Sequence, residues 1–167
     1  MMKETFLLLI FLLSVLKLQQ LDAATIKPLK PLEPSEDDYT HSLEVDEDNP
    51  EQYQLFWKII NEDEIQFEIH CKTTGWVGLG LSPNGGMAGS DIVIGWVKNG
   101  KPYLKDCYAS EKAQPIEDLQ QDYTLIDGTE MNGYTILKFK RKLITCDISN
   151  DKPINVNVNI LLSTGMK

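Results

Sequence analysis

Histidine is the scarcest of the chemically versatile residues in this chain, with two in 167 residues, His41 and His70. A multi-histidine copper or zinc centre needs several imidazoles converging on one point, so such a centre is excluded. Basic residues are also in the minority, 16 Lys and Arg against 25 Asp and Glu, for a formal net charge of −9. Nucleic-acid binding requires basic stripes that meet phosphate and is excluded on that balance. Strong attachment to an anionic membrane surface is disfavoured for the same reason. No Gly-Lys-Ser/Thr follows Gly85-Gly86 and no helical pattern starts there, so the glycine-rich stretch is not a phosphate loop. Ser82 is followed by Pro83 with no histidine nearby to act as its base, which removes a serine nucleophile. An Asn-x-Ser/Thr glycosylation acceptor is missing as well.

Long apolar runs are missing after the first. Residues 6–16 are apolar apart from Ser14, with Lys3 ahead of them and the small residues Ala23 and Ala24 behind. That is the pattern of a secretory signal peptide, assigned to residues 1–24, with an uncleaved signal anchor as the alternative. The run is shorter than the roughly 20 residues that cross a bilayer. A luminal or secreted protein is expected. Cys71, Cys107 and Cys146 then meet an oxidising route, and an odd number leaves at least one thiol free or paired outside the chain. Cys71 falls on an inner strand face and reads as a small buried hydrophobe, while a Cys71–Cys107 bridge stays open.

What is present is β structure behind a tether. Residues 25–41 form an acidic linker containing Pro28, Pro31 and Pro34, and acids continue through Asp46, Glu47 and Asp48. Prolines and like charges keep such a stretch from folding alone, and its acids read as a solvated face, not a calcium loop of the EF-hand type. A short edge strand is expected over 41–45 and a longer one over 53–60. Within 64–72, Ile65, Phe67, Ile69 and Cys71 share one face, while Gln66, Glu68, His70 and Lys72 share the other. This period of two predicts a strand with one wet side and places His70 at the surface beside Glu68. A buried strand over 76–81 carries Gly78 and Gly80, where another backbone comes close. Asn99-Gly100 and Asn132-Gly133 each predict a type I′ hairpin. Residues 110–121 read as a loop with at most one helical turn, and a last strand falls within 155–162. Many short strands separated by turns predict an all-β antiparallel sandwich.

The glycine-rich stretch 75–91 is followed by Asp91-Ile92-Val93-Ile94-Gly95-Trp96, by 100–108, by Gln120-Gln121-Asp122-Tyr123 and by Thr145-Cys146-Asp147. In order and spacing this set resembles the DOMON domain of dopamine β-hydroxylase-like, copper type II, ascorbate-dependent monooxygenases. The resemblance covers about residues 42–162, leaving 163–167 as a tail, and implies an immunoglobulin-like β-sandwich. It implies no catalytic residue here, since copper would be bound only by catalytic domains that this sequence does not contain. Those copper domains would be the partner of the module in an intact relative. It also implies a cation site formed by the side chains of Asp91 and Asp122 and the backbone carbonyls of Ile92 and Cys107. Oxygen ligands of that kind suit calcium or sodium, and two acids give modest affinity. Solvated loop caps are the alternative for both acids. Cys146 stands where the family places an interdomain cysteine, so it is expected free, in a mixed disulfide, or in a dimer. A competing expectation is an autonomous secreted module for haem or a sugar. Met87 and His70 would be the haem ligands, although His70 is expected to face away; Trp96, Tyr103 and Tyr108 would form the sugar platform.

Overall fold

The computed structural model describes residues 33–35, 38–45, 52–155 and 158–165. The signal-peptide assignment, residues 1–24, lies outside the described residues, as does most of the linker before residue 33. Among the described residues there are ten strands and no helix: β1 (His41–Glu44), β2 (Tyr53–Asn61), β3 (Glu64–Cys71), β4 (Trp76–Ser82) and β5 (Asp91–Lys98), then β6 (Lys101–Tyr108), β7 (Ile116–Glu117), β8 (Thr124–Met131), β9 (Tyr134–Lys142) and β10 (Asn159–Gly165). They form two five-stranded antiparallel sheets, ordered β1-β2-β3-β9-β8 and β10-β4-β5-β6-β7. The all-β sandwich expected from the strand pattern is the fold observed. No helix among the described residues is long and apolar enough to cross a membrane.

Alternation along the strands builds the core. Leu55, Ile65, Phe67, Ile69, Leu137 and Phe139 of the first sheet meet Val77, Leu79, Val93 and Val97 of the second, all buried. Burying such a side chain is worth about 1.5–3 kcal/mol, so this layer carries most of the stability. The rings of Phe67 and Phe139 lie 5.6 Å apart, and Tyr123 meets Phe139 edge-on at 5.8 Å. Leu137 needs the space left by two glycines: a Cβ on Gly128 would come within 2.7 Å of its tip, and one on Gly95 would overlap it. Both Asn-Gly pairs adopt positive φ at both positions (54° and 72°; 55° and 83°), as type I′ turns demand.

Three expectations are corrected. The outer face of β3 is not wet, for Gln66, Glu68 and His70 are all buried. Ser35 and Tyr39 of the preceding segment cover it: the amide and hydroxyl of Ser35 donate to Glu68, and the Tyr39 hydroxyl donates to Glu68 Oε2 at 3.0 Å. Gln66 Nε2 donates to the same Tyr39 hydroxyl at 3.1 Å, and Phe56 lies edge-on to His70 at 5.2 Å. The described part of the linker is therefore a docked strap, and periodicity alone could not show what lies over the second face. The last strand is displaced toward the C-terminus. It pairs with β4 from Asn159↔Ser82 to Gly165↔Trp76, so residues 163–165 belong to the sheet and not to a tail. Within 110–121 the regular element is β7, paired to the end of β6, in place of a helical turn.

Candidate functional site

One end of the sandwich is closed by charge instead of by apolar side chains. Asp91 opens β5, Asp106 lies near the end of β6 and Arg141 near the end of β9; antiparallel pairing brings all three to the same end. Tyr123 precedes β8, and Asp151 lies in the segment after β9. All five residues are buried, Asp91 completely. One carboxylate oxygen from each of Asp91, Asp106 and Asp151 lies within 4.8 Å of the others.

Arg141 is the single cation among them. Its Nη1 donates to Asp91 Oδ2 and to the Tyr123 hydroxyl at 3.2 Å, while Nη2 donates to the Lys152 carbonyl at 3.2 Å and to Asp151 Oδ2 at 3.5 Å. Its guanidinium sits over the Tyr123 ring, 5.0 Å from the centroid. Asp91 also accepts from the Lys152 amide at 3.0 Å and from the Tyr123 hydroxyl at 3.3 Å. Asp91 is therefore well partnered. Asp106 is not: Oδ2 accepts from the Asp122 amide at 2.8 Å, but the buried Oδ1 has no partner. Asp118 nearby leaves a second buried carboxylate oxygen, Oδ2, in the same condition.

The electrostatics follow from this crowding. Burial pushes the Asp106 carboxyl up to about 7; the Asp122 amide opposes the rise, and the charges of Asp91 and Asp151 add to it. Burial likewise lifts Asp151 to about 6 against a hydrogen bond from Thr145, and raises Asp91 against the Arg141 charge and the Lys152 amide. Tyr123 is held well above the ordinary phenol range, by burial first and then by the Asp91 charge. Two buried acids thus titrate near neutrality.

The polar sequence motifs find their structural reasons at this end. In Gln120-Gln121-Asp122-Tyr123, the Gln121 side chain accepts from the Asp106 amide at 2.9 Å and donates to the Asp106 and Asp118 carbonyls at 3.0 and 2.7 Å. It stands in for a missing strand, Asp122 supplies an amide, and Tyr123 supplies a hydroxyl. In Thr145-Cys146-Asp147, Thr145 bonds Asp151, while Asp147 Oδ1 accepts from the Ser149 and Asn150 amides at 2.9 and 3.1 Å.

Of the four metal-site candidates, Asp91 is in the cluster and is no solvated cap. Ile92 and Cys107 face each other as register partners on β5 and β6, one residue beyond Asp91 and Asp106. The Asp122 carboxylate is bonded instead to Gln120 Nε2 at 2.8 Å. Asp106, Asp151 and Arg141 were missed. A signal for two of them existed: Asp106 shares the inward face of β6 with Leu104, and Arg141 continues the inward series Leu137, Phe139. Ionisable residues at core-facing strand positions mark an unusual site. Asp151 lies in irregular chain, where no period points inward.

The remaining candidates fall elsewhere. Cys71 and Cys107 are buried in separate apolar clusters and Cys146 is exposed; all three are free thiols. Burial raises the Cys71 thiol and, with the Asp106 charge adding, lifts Cys107 to about 11. Met87 and His70 line different cavities on different sheets, so they are not a haem-ligand pair. Trp96 and Tyr103 stack on each other at 5.4 Å with Tyr103 partly exposed, and Tyr108 is half-buried at the far end of β6.

Comparison with known proteins agrees with the fold. The family model for the DOMON domain matches residues 47–165. "MOXD1 homolog 2" of Drosophila melanogaster is 40% identical over 126 residues, covering 74% of this chain and 16% of its own length. Human "DBH-like monooxygenase protein 1" is 41% identical over 116 residues, covering 70% of this chain and 18% of its own. Human "Putative DBH-like monooxygenase protein 2" is 37% identical, with 67% and 23% covered. The chain spans less than a quarter of each of these relatives. Among solved structures, the cytochrome domain of Myriococcum thermophilum cellobiose dehydrogenase superposes with a TM-score of 0.50 at 20% identity, covering 60% of this chain and 54% of that one. That last likeness is one of fold. By the family match, the chain belongs to the DOMON domain family, and the curated relatives it resembles are DBH-like monooxygenase proteins.

Proposed function

We propose that this chain is a non-catalytic DOMON module of a copper- and ascorbate-dependent monooxygenase, routed to the secretory pathway, that binds one hard cation at its charged end. Calcium is the cation of choice and sodium the weaker alternative. The observation that carries this reading is the buried, unpartnered Oδ1 of Asp106 beside Asp91 and Asp151. A carboxylate oxygen without a donor is costly in a protein interior, and a cation is the partner that a group of acids shares best. Three carboxylates face one guanidinium, which leaves an excess of two negative charges when all are ionised. One divalent ion neutralises that excess. Asp106, Asp151 and Asp91 would hold it, with the carbonyls of Ile92 and Cys107 and the Asp122 carboxylate as further oxygen donors.

The ion would brace two loops, 109–123 and 143–155, which meet the cluster through Asp122 and Asp151. These loops also carry the exposed side chains Leu119, Ile144 and Ile148, together with the Cys146 thiol. An apolar rim and a thiol around an ion-braced end suit attachment to copper domains of the same polypeptide, and the module's role is then assembly. A dimer through Cys146 is the alternative use of the same thiol.

The test is a thermal melt of the chain in EDTA, then in excess calcium, sodium or copper. Calcium at about 100 times its dissociation constant adds about 2.7 kcal/mol to a folded state that alone binds it. Calcium should raise the transition, copper should not, and Asp106→Asn with Asp151→Asn should remove the response. An identical melt in EDTA and calcium refutes the cation reading.

A further inference from the structure

The outer face of the second sheet carries a cavity of about 700 Å³ that has no part in the cation site. Its floor is β4, whose outward positions are Trp76, Gly78 and Gly80. Across the sheet, Gly78 is flanked by Ile94 and Ser163, and Gly80 by Ile92 and Leu161. The result is a slot with apolar shoulders and no side chains along its bottom. Packing does not demand the glycine at 78, since a Cβ there would meet nothing closer than 3.6 Å. Glycine weakens a strand interior and often marks close approach by a ligand.

Both ends of the slot are walled. At one end the Trp76 indole lies across Gly165 of β10, where a Cβ would come within 2.5 Å of the ring. At the other stands Met87, packed on the Ile92, Cys107 and Ala109 cluster. Met87 is held there by its loop, in which the hydroxyls of Ser82 and Ser90 both donate to the Gly86 carbonyl, at 2.7 and 2.8 Å. Gln114 and Pro115, from the loop before β7, add a side wall. This is a cavity with walls from separate segments, within the roughly 300–1,000 Å³ typical of small-molecule sites.

The lining selects the ligand class. No Asp, Glu, Lys, Arg or His lines the slot, so a charged group would find no counter-charge there, and a haem iron would find Met87 but no imidazole. Gln114, Ser163 and the indole N–H groups of Trp76 and Trp96 are its polar groups, few for the several hydroxyls of a sugar. Indole faces and a thioether pack best on flat π systems. We propose that this slot binds an uncharged planar aromatic molecule, lying along Gly78 and Gly80 with its ends against Trp76 and Met87 and one polar edge toward Gln114 or Ser163.

The test is titration of the full chain, expressed through a secretory pathway, with the uncharged fluorophore N-phenyl-1-naphthylamine. Saturable fluorescence enhancement with quenching of tryptophan emission is expected. Gly78→Val fills the slot with a residue that strands favour, and should weaken binding about tenfold or more while the melt stays unchanged. Met87→Glu places a charge at the wall and should weaken binding similarly, which keeps the test decisive should the valine variant not fold. Unsaturable fluorescence, or equal binding by both variants, overturns the proposal. So does a Soret band on haem addition with release of the probe, which assigns the slot to haem. A dimer in gel filtration that Gly78→Val dissociates assigns it to a second copy of the chain and overturns it equally.

Discussion

Among the described residues two buried polar clusters contain acids, and they are built on opposite principles. On the outer face of the first sheet, Glu68 is an acid whose acceptor sites are filled: by His70 at 2.6 Å, the Ser35 amide and hydroxyl, and Tyr39. Burial works to raise the Glu68 carboxyl, but the hydrogen bonds from His70 and Ser35 outweigh it and hold the group at about 2. The unpartnered atom on that face, Gln54 Oε1, belongs to a neutral amide. At the charged end the balance is reversed, with three acids, one guanidinium and an orphaned carboxylate oxygen, and Asp106 driven up to about 7. A satisfied network fixes structure, here the strap over the sheet; a half-satisfied one indicates a missing partner. The cation reading rests on that contrast.

The sharpest break of the comparison is Arg141→Gln. It leaves Asp91 and Asp151 buried without their counter-charge and should cost about 3–5 kcal/mol, the usual penalty for removing one member of a buried ion pair. Urea unfolding in EDTA should show the loss, and calcium should restore more of it than in the parent. Glu68→Gln should cost less, about 1–3 kcal/mol, because it strands donors without leaving an acid uncompensated. Calcium should restore none of that loss. Equal rescue of the two variants would mean that the clusters do not differ in kind.

The comparison also sharpens with pH, and the two signs are opposite. Glu68 is depressed when folded, so its contribution is complete above its ordinary value of 4.5 and is lost as the pH falls toward about 2. Asp106 and Asp151 are raised, so the folded state binds their protons more tightly than the unfolded chain does. Their contribution is present at about pH 4 and is lost as the pH rises through about 6 and 7. In EDTA the melting temperature should therefore fall by about 4 °C or more between pH 5 and 7.5. Calcium should abolish that fall, with its largest effect at the alkaline end. A flat profile in EDTA would count against the crowding of unpaired charge at that end.

How much of this was legible in the sequence depended on whether a pattern had one meaning. Asn99-Gly100 and Asn132-Gly133 had one, because positive φ at two successive positions admits few residues, and both hairpins are in place. The inward series Ile65, Phe67, Ile69 and Cys71 was equally plain. The opposite series Gln66, Glu68 and His70 was not, since alternating polarity records two faces without recording what covers the second. The cover is a strap whose Ser35 and Tyr39 lie among prolines and acids that look solvated. At the charged end Asp91 was legible through the family resemblance. Asp106 and Arg141 were legible only to a reader who treats charge on a core-facing period as a signal. Asp151 was not legible at all, because tertiary packing, and no local rule, carries it inward.

Asp106→Asn sets the two clusters against each other most directly, with the smallest change. Amide for carboxylate removes a buried charge whose Oδ1 has no donor but keeps an oxygen to accept the Asp122 amide. In EDTA at pH 7.5 the variant should be as stable as the parent or more stable by about 1 kcal/mol, since relief from an uncompensated acid offsets any lost hydrogen-bond strength. In saturating calcium the order should reverse, because the parent gains an ion that the variant holds poorly. The same amide swap at Glu68 should destabilise under both conditions. A crossover in one pair of melts and none in the other separates an acid kept for structure from an acid kept for a ligand. If Asp106→Asn proved destabilising in EDTA as well, Asp106 would belong with Glu68 as a structural acid, and the charged end would need no cation.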